Sequence, residues 1–567
     1  MSNLNLKSKE QNTYDAIVIG SGISGGWAAK ELCEKGLKTL VLERGRNVEH
    51  IKDYVTAHSD PWNSEERFAL SVAEKEQQHK QVNTGIDGTN KHFFVNDIEN
   101  PYIEDEAFHW IRGYHVGGRS LTWGRHSYRL GDLDFEANAK EGIGVDWPIR
   151  YKDIEPWYDY VEKYIGVSGS NLGLKQLPDQ QLMPPMELNC VEKHLQQSLA
   201  EHYGNRVLTT GRVAHVTQRH NGRGPCQFRN RCSRGCPFGA YFSSNAVTLP
   251  AAEKTNNMTL RPHSIVNSII YDNDLGKATG VRVIDEQSGE MLEFYGKVIF
   301  CNASALGSTF ILLNSTSERF PDGMGNDSGQ LGHNLMDHHF MVGAKAKSEG
   351  FEDKYYKGRR PNGIYIPRYR NVDEKSKVDS FVRGYGYQGG AMRQGWGRGV
   401  NDKSFGTDFK ESLFKPGPWE MFLVGFGEHL PDYDNHVYIN TTKQDKYGQP
   451  VLGINCKFGS NEIAMRKQME IDAVEMLDKA GMKDIKPFNQ DPVPGLGIHE
   501  MGTARMGRDA KTSVLNGNNA IHAVPNVYVT DGACMTSSAC QNPSLTYMAL
   551  TARAANHAVE QLKKKNI

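Results

Sequence analysis

Residues Tyr14–Gly45, YDAIVIGSGISGGWAAKELCEKGLKTLVLERG, constrain the fold more than any other stretch of the chain. A short β-branched run, Ala16–Ile19, stops at a turn in which Gly20, Gly22 and Gly25 stand at G-x-G-x-x-G spacing. A helical segment with Ala28, Ala29 and Leu32 follows, and a second apolar run, Thr39–Leu42, ends in Glu43. Gly20 lets the chain turn sharply, Gly22 lets backbone approach a pyrophosphate, and Gly25 lets helix and strand pack closely. The unpaired N–H groups and positive dipole end of the helix favour an anion. Glu43, closing the second strand, can accept a hydrogen bond from ribose hydroxyls. In a chain with 58 glycines a bare triplet is weak, but strand, turn, helix, strand and acid in that order form a strong signature. The unit predicts a dinucleotide site and does not say which dinucleotide.

At 567 residues the chain exceeds one compact core and predicts two domains or more. Lys+Arg 66 against Asp+Glu 67 gives a net charge of −1, so no basic field argues for nucleic acid. No apolar run reaches the roughly 18–20 residues of a membrane span. The opening segment MSNLNLKSKEQNTYD is polar, without an apolar core or twin-arginine pair. It reads as a disordered leader over residues 1–13, with no secretory signal.

Three of the nine cysteines, Cys226, Cys232 and Cys236, fall at C-x5-C-x3-C spacing in GPCQFRNRCSRGCPFGAYF, residues 224–242. The other six show no common ligand spacing, which does not suit a disulfide scaffold. Three thiols this close suit a soft metal centre. Zinc would need a fourth ligand, for which His220 and His215 are candidates. Disulfides would leave one thiol over. An iron–sulfur cluster agrees with Pro237 directly after the last cysteine.

Elsewhere the pattern is less specific. Residues 50–110 are polar and read as helix and loop without chemistry. Arg112–Phe135 carries Gly117-Gly118 with Ser120, Thr122 and Trp123 just beyond, and reads as a second cofactor-contacting segment. Asp146–Gly169 repeats Ile154, Trp157, Tyr158, Val161 and Tyr164 at helical spacing, which is a core stripe. Thr259–Asp285 reads as alternating strands around a DNDLGK turn. Residues 340–490 hold strand-like runs such as Met421–Phe426 and His436–Ile439, then a helix over Asn461–Ala480. The glycines of Gly384–Arg398 make that segment a candidate mobile loop over the site.

Several segments, taken in order and spacing, resemble the glucose-methanol-choline (GMC) flavoprotein oxidoreductases. They are GSGISGG with Glu43, VGGRSLTWG, DWPIRYKDIEPWYDYVEKYIGVSG, VIFCNASALGSTFILLNS, GQLGHNLMDHH, and HEMGTARMG with DGACMTSSACQNPSLTYMAL. The resemblance runs from Tyr14 to about Asn556. It implies an α/β fold: a Rossmann-like FAD-binding domain assembled from discontinuous segments, plus an α+β substrate-binding domain with an antiparallel sheet. The FAD-binding domain would take residues 14–50, 110–135, 240–340 and 495–567, and the substrate domain 51–109, 136–239 and 341–494. Implied FAD contacts are Gly20, Ser21, Gly22, Ser24, Gly25, Glu43, Arg44, Gly117, Gly118, Ser120, Trp123, Asp531 and Gly532, with Val266 at the family's backbone contact to adenine. Thr122 stands where pyranose oxidases have a histidine bound covalently to FAD, so the FAD is expected to be non-covalent.

The same resemblance makes His499 the catalytic base and Asn542 its partner across the flavin face. Asn cannot take a proton at neutral pH, so Asn542 is expected to orient the substrate oxygen. His499 is expected to titrate in the ordinary histidine range. His333, His338 and His339 lie in a family segment and are assigned no catalysis. The cysteine triplet resembles that of dehydrogenase subunits of the fructose, glucose and glucoside 3-dehydrogenase type, which hold a [3Fe-4S] cluster. Gln227 stands where those relatives often have a second cysteine. The implied activity is oxidation of a secondary alcohol of a sugar or glycoside, with 3-keto products favoured. Electrons would leave through the cluster to a cytochrome c partner, with a small subunit carrying the export signal to the periplasm. The alternatives are an oxidase using oxygen, a non-catalytic electron-transfer flavoprotein, and a cytoplasmic location.

Overall fold

The computed structural model describes residues 12–63, 68–354, 360–395, 398–401 and 404–567. The polar leader expected over residues 1–13 lies, for residues 1–11, outside the described residues.

The first strand, Thr13–Ile19, leads through the glycine turn into the helix Ile23–Glu34 and then the strand Thr39–Leu42. The two strands are parallel, with Ala16 opposite Thr39 and Ile19 opposite Leu42. Ala16–Ile19 and Thr39–Leu42 are buried throughout, as expected of a parallel sheet covered on both faces. Three further parallel pairings complete the layer. Met291–Cys301 lies beside Thr13–Ile19, Val524–Val529 beside Met291–Cys301, and Met258–Arg261 beside Thr39–Leu42. The sheet is therefore assembled from stretches of chain hundreds of residues apart. A hairpin, Ser264–Asp272 with Lys277–Asp285, attaches antiparallel to Met291–Cys301. The C-terminal helix Ser544–Lys563 packs on Ile23–Glu34 and on the core helix Tyr151–Ile165.

The second layer is an antiparallel six-stranded sheet in the order Lys483–Asn489, Val342–Ser348, Trp419–Gly427, Tyr385–Arg393, Ile364–Ile366 and Thr209–Thr210. The residues of Trp419–Gly427 alternate strictly between buried and half-buried. One face packs on the helix Ser460–Lys479, and the other carries Gln388 and Phe426 into the main cavity.

Two expectations are corrected. Gly384–Arg398 is not a mobile loop: Tyr385–Arg393 is an interior strand paired on both sides, and residues 396–397 lie outside the described residues. Its glycines serve close strand approach, since a Cβ on Gly389 would meet the Phe422 carbonyl oxygen at 2.1 Å. The described residues of 50–110 form short helices, loop and the two-residue strand Ile103–Glu104, but Thr84, Gly85, Asn90, Phe94, Asn100, Pro101 and Trp110 wall the main cavity. Among the described residues, no helix is long and apolar enough to cross a membrane.

Candidate active site

A cavity of about 660 Å³ lies between the two sheets and is lined from both. Gly20, Ser21, Gly22, Ser24, Glu43, Arg44, Gly118, Ser120, Thr122, Trp123, Val266, Asp531 and Gly532 line it, as do His499 and Asn542. Gly25 and Gly117 lie behind the wall. A Cβ on Gly25 would meet the Gly20 carbonyl oxygen at 1.9 Å, so Gly25 is the helix-to-strand contact. Gly117, at φ 86°, leaves no room for a Cβ beside Asn245 and donates its N–H to Ser21 Oγ at 2.9 Å.

Glu43 is buried at the head of this cavity. Its Oε2 accepts from the Ser21 N–H at 3.1 Å and the Ser21 hydroxyl at 2.6 Å, and its Oε1 from the Gly45 N–H at 3.0 Å. Burial pushes its pKa up, against the pull of those donors and of Arg44. The carboxylate is thus fixed in place, with lone pairs left for a ligand hydroxyl. The Arg44 guanidinium lies 4.5 Å from the centre of the Tyr114 ring. Val266 stands at a bulge in its hairpin, where pairing with Lys277–Asp285 slips before Ser268. Asp531 accepts from Ser308 Oγ at 2.6 Å and the Ala533 N–H at 3.0 Å, and burial raises its pKa to about 6. Among the wall residues, Asn302 Nδ2 and the Tyr547 hydroxyl are buried without a hydrogen-bond partner. Such atoms are costly unless a ligand satisfies them. Together with the glycine turn and Glu43 they fit the FAD expected from the sequence.

At the other end His499 Nε2 lies 3.4 Å from Asn542 Nδ2. Asn542 Oδ1 accepts from Gln388 Nε2 at 2.7 Å, and His499 Nδ1 is 2.8 Å from His338 Nδ1. The loop carrying His499 is shaped by Asp337, whose carboxylate accepts the N–H groups of Gly495 at 2.8 Å, Gly497 at 2.9 Å and His499 at 3.0 Å. Burial and the nearby Glu500 raise the Asp337 pKa to about 7. Arg119 clamps Glu500 with two bonds of 3.1 and 2.9 Å. Phe340 and Phe426 stack at 5.1 Å on the cavity wall.

The ordinary histidine titration expected for His499 is not what this site provides. Burial, then the neighbouring His338, Arg119 and His126, hold its pKa well below the usual value. The imidazole is neutral at physiological pH and competent to accept a proton.

Sequence reasoning missed His338, Gln388, Asp337 and Arg119. His338 and Asp337 had a signal in their place in GQLGHNLMDHH and Arg119 in VGGRSLTWG, and nothing distinguished the first two from His333 and His339. His333 stacks on Tyr433 at 3.8 Å, and His339 is buried behind Gly427. Neither lines the cavity.

The cysteine loop forms a separate, small cavity lined by Cys226, Cys232, Cys236, His215 and Tyr241. Arg229 and Arg234 anchor the loop to the carbonyls of Ala57 at 2.5 Å and Ser59 at 2.9 Å, and Arg231 pairs with Asp60. Ser233 of the same loop reaches the wall of the main cavity. All nine cysteines are free thiols, so the disulfide alternative finds no bond here. Among the described residues, no three His, Cys, Asp or Glu side chains are grouped to hold one metal ion. His220, one candidate fourth ligand for zinc, instead meets the Tyr164 carbonyl at 3.0 Å. His215, the other candidate, stays in the thiol-lined cavity, its Nε2 3.8 Å from Cys232 Sγ.

Comparison with known proteins agrees with this geometry. Sequence profiles described as GMC oxidoreductase match residues 14–340 and 431–551. The chain is 28% identical to 2-methyl-1,2-propanediol dehydrogenase of Mycolicibacterium austroafricanum, over 96% of this chain and 94% of that protein. It is 23% identical to the fructose dehydrogenase large subunit of Gluconobacter japonicus, over 98% and 100%, and 25% identical to paromamine 6'-oxidase of Streptomyces fradiae, over 98% and 93%. Pyridoxine 4-oxidase from Mesorbium loti shares the fold, with a TM-score of 0.59 at 17% identity over 96% of this chain and 98% of that one.

Proposed function

The chain belongs to the GMC oxidoreductase family, FAD-dependent enzymes acting on CH–OH groups, and from that premise we propose that it is a dehydrogenase oxidising a secondary alcohol of a sugar or glycoside to a ketone, with the 3-keto product favoured. The observation that carries this reading is that His499 and Asn542 face one cavity with the glycine turn and Glu43. FAD, held non-covalently by the residues named above, supplies the acceptor for the hydride that leaves the carbinol carbon. His499 Nε2 takes the hydroxyl proton, so the carbon loses a hydride, the oxygen a proton, and a carbonyl forms. Asn542 donates its amide N–H to the substrate oxygen and holds it beside His499. The stacked Phe340 and Phe426 and the amide of Gln388 offer the mixed apolar and polar wall that a sugar ring requires.

We assign Cys226, Cys232 and Cys236 to a [3Fe-4S] cluster, which would supply one-electron transfer to a cytochrome c partner. The reading is supported by the shared thiol-lined cavity, by Ser233 linking that loop to the main cavity, and by the relative named as the large subunit of a dehydrogenase. A small subunit and export to the periplasm belong to the same reading, as does the division into FAD-binding and substrate segments. The relatives named as oxidases support a second reading, an oxidase that uses oxygen.

One assay separates the two. Anaerobically purified holoprotein is given methyl glycosides with either an artificial one-electron acceptor or oxygen. The dehydrogenase reading expects turnover with the acceptor and little hydrogen peroxide from oxygen. Fast peroxide formation, with zinc and no iron or acid-labile sulfide on metal analysis, would overturn it.

A further inference from the structure

We infer that His338 is a positioning residue that fixes the tautomer of His499, so that the ring nitrogen facing the cavity is the bare one. The inference rests on His499 being the proton acceptor. It starts from an atom that cannot change its role. A backbone carbonyl oxygen only accepts, and His338 Nε2 lies 2.8 Å from the Ala539 oxygen and 3.4 Å from that of Ser538. Nε2 of His338 therefore carries a hydrogen. The His338 ring is buried, its hydrogen-bond partners are those carbonyls and His499, and burial lowers its pKa to about 4. It is neutral, and its Nδ1 is a lone pair.

That lone pair lies 2.8 Å from Nδ1 of His499, with the two rings edge-on at 79°. Two bare nitrogens at that distance would repel, so the hydrogen between them belongs to His499 Nδ1. A neutral His499 with its hydrogen on Nδ1 presents a bare Nε2, the atom that meets Asn542 at 3.4 Å. The amide of Asn542 agrees in direction, because its Oδ1 accepts from Gln388 at 2.7 Å and its Nδ2 is left to donate. From Gln388 through Asn542, His499 and His338 to Ala539, every link points one way. Remove the lone pair of His338 and only the longer 3.4 Å contact from Asn542 still favours the hydrogen on Nδ1; His499 then spends part of its time with Nε2 occupied and unable to accept a proton.

The test compares His338→Leu, which deletes the acceptor, with His338→Asn, whose Oδ1 can stand near the lost Nδ1. In the FAD-loaded protein, His338→Leu should slow the limiting rate of anaerobic flavin reduction on the order of 10–10²-fold. FAD content and half-saturation by substrate should change less than about twofold, because a positioning loss acts on the reactive geometry alone. His338→Asn should recover most of the rate. In a His499→Ala background, His338→Leu should cost nothing further, since two residues acting through one atom are not additive. A readout independent of turnover is nitrogen NMR of ¹⁵N-histidine-labelled protein, with His499 assigned by its disappearance in His499→Ala. Wild type should show a protonated Nδ1 and a bare Nε2, and His338→Leu a mixture. Should His338→Leu fail to fold, the wild-type spectrum alone decides. A protonated Nε2 in wild type overturns the inference, as does an undiminished His338→Leu effect in the His499→Ala background. A His499→Ala protein that keeps the wild-type rate would instead overturn the base assignment, leaving the tautomer to be read from the spectrum.

Discussion

The two ends of the main cavity are built on different plans. The nucleotide end is built mainly on the backbone turn and acid of one unit, Ile19–Ser24 with Glu43 and Arg44, to which separate segments add Gly118, Val266, Asn302 and Asp531. The reacting end gathers side chains from far apart, with His499 bonded to His338, 161 residues away, and Asn542 to Gln388, 154 residues away. A backbone site fails when the chain cannot follow its path. A side-chain site fails when one atom is missing, while the path stays intact. The difference predicts what each class of substitution does.

His499→Ala should have the largest effect. Losing a positioned base costs on the order of 10²–10⁴ in rate, so anaerobic flavin reduction should slow by that much with FAD still bound. The sign of the pH dependence follows from the depressed pKa of His499. The neutral ring is the active form, so the wild-type rate should stay flat as pH falls past the ordinary value of about 6.5 and drop only in more acidic solution. Stopped-flow reduction across pH checks both points, and a wild-type midpoint at or above the ordinary histidine value would break the assignment of a buried base.

The glycine turn comes next and sharpens the contrast. Gly25→Ala drives a Cβ into the Gly20 carbonyl oxygen at 1.9 Å, whereas a Cβ on Gly22 would meet nothing within 4 Å. Gly25→Ala should therefore cost about 1–3 kcal/mol of stability, and FAD with it. Gly22→Ala should keep its melting temperature and still bind FAD at least about tenfold more weakly, because its Cβ enters the space where backbone must approach the pyrophosphate. Thermal melts beside FAD titrations separate the two, and equal melting temperatures would show that the turn relaxes.

Smaller effects should follow at each end. Asn542→Ala removes a hydrogen bond and no proton acceptor, so flavin reduction should slow about tenfold. Glu43→Gln should weaken FAD binding about fivefold without unfolding the protein, one modest hydrogen bond being lost. Equilibrium dialysis of FAD checks the second. An affinity unchanged in Glu43→Gln would mean that Glu43 serves only to hold Ser21 and Gly45.

How much could be read from the chain follows the same divide. Tyr14–Gly45 was legible because each step of that path demands a particular residue type, and the steps are neighbours in sequence. His499 and Asn542 were legible through resemblance, and the parallel sheet through its buried runs. Tyr385–Arg393 was not, because loops and closely packed strands both call for glycine, and only the partner Trp419–Gly427 decides between them. The cavity walls within residues 50–110 were not legible either, since a polar loop carries no mark of what it will face. The low basicity of His499 lies in its burial beside His338, Arg119 and His126, none of which is near it in sequence.

In the reading proposed above, one cavity carries a carbinol carbon to the flavin face beside His499. The most direct measurement mixes FAD-loaded protein anaerobically with a methyl glycoside bearing hydrogen or deuterium at C3, following flavin absorbance and product together. One flavin should bleach per ketone formed, more slowly with deuterium because that bond breaks in the step observed. A flavin that stays oxidised with every sugar and glycoside, or that bleaches without ketone formation, would contradict it.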